Sequence, residues 1–157
     1  MIVIDFGKGD AVAIVKYDDV KEKPSTLRAM TSLEREEFEE LCVGFGEAWE
    51  RHRQAVGYDA SPGGRPPQLA AIEDKLLFIL FYLKTYPLQE VQGHWFGLSQ
   101  GQANLWIHRL SDVLKEALRC HIVKDVFRNT LLGYADTVME LACGLHNFRS
   151  YCRLENY

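Results

Sequence analysis

The stretch that decides the fold runs from Leu88 to Leu110, LQEVQGHWFGLSQGQANLWIHRL. It reads as a helix, a tight turn and a second, short helix. Gly97 stands at the turn, where positive φ is wanted and only glycine adopts it without steric cost. Four residues earlier, Gly93 offers a small residue where the two helices cross closely. Phe96 and Leu98 flank the turn as core residues, and Ala103, Trp106, Ile107 and Leu110 recur at helical spacing beyond it. Ser99 with Gln102 has the spacing of a capping box that starts the second helix.

Upstream, Glu73 to Tyr86 forms a helix whose core, LLFILFYL, has no polar face. Such a helix sits centrally, covered by its neighbours. Pro87 ends it, because the residue before a proline is pushed out of the helical region. Three helices in this order predict a mainly α fold built on a tri-helical helix-turn-helix unit. In such a unit the second helix of the motif enters the DNA major groove with its N-terminal exposed side chains toward base edges. Those side chains are Ser99, Gln100, Gly101, Asn104 and, one turn on, His108. Gln and Asn can pair bidentately with adenine. Arg109 and Lys115 are placed to meet phosphates, and Gln89 to brace the first helix on the backbone. A helical protein-interaction module without DNA binding remains the alternative for this pattern.

The preceding residues 57–69 read as a linker, with GYDASPGGRPP at their start. Gly64, Arg65 and Pro66 resemble the core of a hook that lays an Arg in an A·T minor groove, although a plain loop is the favoured reading of so short a signal. Residues 17–56 form an acidic helical segment. Thr31 and Glu34 have capping-box spacing, and Leu33, Phe38, Leu41, Phe45, Trp49 and His52 follow on one face. Gly44 and Gly46 are expected to interrupt this helix. Glu36, Glu37, Glu39 and Glu40 read as a solvated face. Residues 1–16, with MIVIDF and AVAIVK around GKGD, predict a β-hairpin that must pack on something.

The formal charge of −4 is unevenly spread. The acidity lies between Tyr17 and Glu50, the segment from Arg51 to Leu69 is mildly basic, and residues 70–119 and 120–157 each balance to zero. A neutral DNA-binding unit gains little from counterion release. Cys42, Cys120, Cys143 and Cys152 lack regular spacing, which suits reduced thiols in a cytosolic protein. The longest central apolar run, Leu76 to Leu83, is too short to span a bilayer, and the N-terminal residues have no basic leader ahead of an apolar run. Phosphate-loop, dinucleotide and hydrolase signatures are missing, so no cofactor or small-molecule ligand is expected. Cys143, His146, Cys152 and the Cys120–His121 pair lack paired zinc knuckles, and no metal site is expected.

EDKLLFILFYLKTYPLQEVQGHWFGLSQGQANLWIHRL closely resembles the N-terminal helix-turn-helix of DDE-superfamily insertion-sequence transposases from bacteria. The resemblance reaches back through YDDVKEKPSTLRAMTSLEREEFEEL and GGRPPQL, from Tyr17 to Leu118. It implies binding to double-stranded DNA at the terminal inverted repeats of a transposable element. Residues 120–157, with IVKDVFRN and GYADTVMELACGLHNFR, resemble the segment that closes the same family's catalytic domain. The ribonuclease-H-like sheet that separates the two pieces in full-length relatives is missing between Leu118 and His121. The resemblance therefore implies a truncated, internally deleted transposase with no catalytic residues, acting at the nucleoid in the cytoplasm. It implies association with a second copy or with full-length transposase. Relatives commonly carry Arg at the position of Leu105 and Ser at that of Gly101. Asp5, on a strand followed by a Gly turn, is the nearest imitation of a catalytic aspartate, but it precedes the DNA-binding unit.

The C-terminal helix, Leu132 to Arg149, presents Val138, Met139, Ala142, Leu145 and Phe148 on one face. That face would rest on the missing sheet. It is expected to self-associate, to be partly disordered, or to dock on the tri-helical unit or the hairpin.

Overall fold

The computed structural model describes residues 14–57, 68–122, 141, 143–149 and 152. Helices α1 (Tyr17–Val20), α2 (Pro24–Thr31), α3 (Arg35–Val56), α4 (Ile72–Thr85), α5 (Gln89–Phe96) and α6 (Gln100–Ile122) follow one another, and 141, 143–149 and 152 are also helical. Among the described residues there is no strand. The hairpin expected over 1–16 lies outside them except for residues 14–16, which belong to no regular element. The proposed Arg65 hook also lies outside them.

α4 is the centre of the molecule. From Asp74 to Tyr82 every residue is buried, as its lack of a polar face requires. Phe78 meets Phe96 edge-on with ring centroids 5.0 Å apart, and Phe81 stacks on Trp95 at 5.6 Å. The two buried charges of α4 are satisfied locally. Asp74 accepts the backbone N–H of Tyr17 at 2.8 Å. Lys75 donates to the Ala70 carbonyl at 2.6 Å and lies 5.1 Å over the Trp49 ring. Burial pushes the Lys75 ammonium below its usual pKa.

α3 begins three residues later than its apparent capping box. Thr31 closes α2 instead: its hydroxyl donates to the Leu27 carbonyl at 2.8 Å and accepts the Leu33 N–H at 3.1 Å. Ser32 then takes a left-handed conformation, φ 67°. The cap of α3 is Glu34, whose N–H is held by the Glu37 carboxylate at 2.9 Å. Glu37 is thereby buried and leaves the solvated face assigned to the glutamate run. Gly44 and Gly46 do not interrupt α3, which continues to Val56 and ends on Gly57 at φ 63°. Their intrinsic cost is offset by the packing of Phe45, Ala48 and Trp49.

The second helix of the motif is long rather than short, reaching Ile122. It packs mainly on α3, and its Leu118 meets Gly144 of the C-terminal helical residues, whose Leu145 and Phe148, the described part of the expected apolar face, pack on the core of the same chain. Leu141, Phe148 and Cys152 are buried in the core that every other described element shares. A Cβ at Gly144 would lie 3.1 Å from Leu118, and the Cys152 thiol donates to Glu40 at 3.1 Å. Val138, Met139 and Ala142 lie outside the described residues. Among the described residues no helix is long and apolar enough to cross a membrane.

Candidate nucleic-acid interface

The turn between α5 and α6 is fixed by two glycines with different duties. Gly97 has φ 68° and ends α5, its N–H returning to Gly93 and His94. Leu98 N–H also donates to the Gly93 carbonyl, at 2.7 Å. At Gly93 the constraint is space: a Cβ there would sit 2.6 Å from the Leu98 carbonyl oxygen and 3.2 Å from that of Ser99. Backbone occupies the position that any other side chain would need.

Beyond the turn, Ser99 N–H donates to Gln102 Oε1 at 3.0 Å, and Gln102 N–H donates to Ser99 Oγ at 3.3 Å. This reciprocal pair aims the first turn of α6 outward. The Ser99 hydroxyl accepts in this pair and keeps its own O–H donor at the exposed start of the helix.

The inner face of α6 carries Ala103, Ile107, Leu110, Val113, Leu114 and Ala117, all buried. The opposite face presents Gly101, Leu105, His108, Asp112 and Arg119 in succession, each exposed. Gln100 is exposed beside this line, and Asn104, four residues on, is half-buried. Nothing lies within 4 Å of where a Gly101 Cβ would be. Arg109 is half-buried with its guanidinium 5.4 Å from the Trp106 ring, and Trp106 leans on Trp49 at 5.8 Å. Lys115 is half-buried further along. Gln89, also half-buried, is the first residue of α5, and so is separate from the α6 line. The structure thus brings Gln100, Gly101, Asn104 and His108 to one side of one helix, whereas Arg109 lies toward Trp106.

The electrostatics are unassertive. Residues 67–120 hold as many acids as bases, and Glu116 is tied to Arg51 at 2.6 Å. The exposed Asp112 stands on the same face as His108. Among the described residues no group of three or more His, Cys, Asp or Glu is placed to hold a metal ion.

Two contributors were not visible in the motif. Leu105, marked in the sequence only as standing where relatives commonly carry Arg, is 66% exposed at the middle of the outer face. Ile14 and Val15 brace the turn from outside: Val15 N–H donates to the Trp95 carbonyl at 3.0 Å, and Ile14 lies over Gly97. Their only signal was the expectation that the apolar runs of residues 1–16 must pack on something.

Comparison with curated proteins gives no match, and comparison with solved structures gives none. Residues 67–120, spanning α4, α5 and α6 as far as Cys120, match the family model described as the helix-turn-helix of DDE superfamily endonuclease.

Proposed function

We propose that this protein is a transposase-derived DNA-binding protein that recognises the terminal inverted repeats of an insertion element without cutting them. One observation carries the reading: the second helix of the matched motif turns Gln100, Gly101, Leu105 and His108 outward. A helix so exposed fits a B-DNA major groove, and amide side chains suit adenine. Gln89 would brace the backbone, and Arg109 and Lys115 would meet phosphates. Arg65 would add a minor-groove contact.

The lack of cleavage is inferred from continuity. α6 runs without a break through Leu118 and Cys120, where a catalytic sheet would have to enter. Glu90, Asp112 and Glu116 lie on helices rather than on neighbouring strand ends, whereas two-metal phosphoryl transfer needs converging carboxylates. In a cell such a protein acts at the nucleoid, alone, as a dimer or beside an intact transposase.

The test is binding of the purified chain to labelled duplexes of the repeats flanking its gene and to scrambled duplexes, followed by addition of magnesium. Preference for the repeats with no strand cleavage is expected. Equal binding to both duplexes contradicts the recognition, and magnesium-dependent nicking contradicts the inactivity. The balanced charge of residues 67–120 favours a second reading, a helical protein-interaction module, which predicts weak, salt-insensitive DNA binding with no preference for the repeats.

A further inference from the structure

We infer that Leu105 is a base-reading residue that packs on thymine methyl groups, so that the protein selects A·T pairs in the major groove. The inference rests on the DNA-binding proposal above and adds the chemistry of the site.

A leucine left 66% exposed on a helix whose other outward residues are small or polar has no folding role on that side. It stands four residues after Gly101 and three before His108, in the centre of the face offered to DNA. Gly101 carries no side chain, and the space beside it is open, which lets the first two turns of α6 approach base edges closely. Gln100 and Asn104 run along the adjacent line, one turn apart. Their amides match the N7 acceptor and N6 donor of adenine. Adenine's partner presents a methyl group in the same groove, and an isobutyl side chain is a suitable surface for it.

The residue types that are missing from this stretch agree. Between Gln100 and His108, QGQANLWIH, there is no Arg or Lys to take guanine O6 and N7 and no Asp or Glu to accept from cytosine N4. Amides beside an apolar side chain leave A·T pairs as the best match.

Duplexes enriched by the purified protein from a random-sequence pool provide the test. Each enriched duplex is made with thymine and again with deoxyuridine, which deletes the methyl and keeps the pairing. Enriched sites are expected to contain A·T pairs, and deoxyuridine is expected to weaken wild-type binding about three- to fivefold per contacted methyl. Leu105→Ala should bind the two forms equally, with an unchanged melting temperature because the side chain is exposed. Enrichment of G·C-only sites, indifference of the wild type to the methyl, or methyl discrimination retained in Leu105→Ala would each overturn the inference. Specific binding without methyl dependence removes Leu105's role and leaves the DNA-binding proposal standing. Failure to enrich any sequence removes both.

Discussion

Gly93 and Gly97 show how different physics can demand the same residue. Gly97→Ala meets a left-handed backbone and is expected to cost about 1–2 kcal/mol. Gly93→Ala drives a methyl against the Leu98 and Ser99 carbonyls, which flexible side chains cannot relieve. A loss of about 1–3 kcal/mol is expected there, with local distortion of the turn. Urea midpoints of the two variants check both values, and a neutral Gly93→Ala would show that α5 and α6 do not cross as described. Both glycines were legible from sequence because each obeys a local rule. Cys42 was not, since its behaviour comes from burial: the thiol is pushed up to about 11, with Glu73 and Glu39 adding to the effect. Competitive alkylation near pH 8 should therefore label the exposed Cys143 well before Cys42. As pH rises past about 9, the unfolded chain sheds the Cys42 proton first, so this group's contribution to stability falls until about pH 11 and is unaffected below that window.

Among the elements, α4, α5 and the start of α6 could be read ahead of the structure because periodicity, proline and glycine signals agreed there. The start of α3 could not. Thr31 and Glu34 satisfy the spacing of one capping box, Glu34 and Glu37 that of a second, and only the helix ending at Thr31 decides between them. The extent of α6 was hidden for a different reason: its second half packs on α3 and, at Leu118, on Gly144, partners remote in sequence. The cap at Ser99 gives the element-scale prediction. Ser99→Ala should cost about 0.5–2 kcal/mol by freeing the Gln102 N–H. It should also fray the turn that carries Gln100. Amide exchange at Gln102 and Ala103 measures this directly, and unchanged protection would mean that the cap does not set the start of α6.

For the molecule as a whole, the decisive fact is that elements with unlike sequence character share one core. The C-terminal helical residues looked orphaned because a sequence shows an apolar face but not its occupant. Here Phe148 is buried and Gly144 fits against Leu118. Phe148→Ala is expected to destabilise the protein by about 3–5 kcal/mol, lowering one cooperative transition. A separate early transition would instead mark an independently melting tail. At this scale charge also bears on the proposed recognition: with acids and bases equal over residues 67–120, attraction to phosphates would be small, and discrimination would have to come from base edges. The most direct measurement is a salt series of binding to repeat and scrambled duplexes, for the wild type and for the combined Gln100→Ala, Asn104→Ala variant. The expected result is a shallow salt slope and a preference that survives in the wild type. The variant should lose at least tenfold of that preference, at about 1–3 kcal/mol per amide pair, and melt as before. A variant that kept the full preference, or a wild type that bound steeply with salt and without preference, would contradict a reading helix at α6.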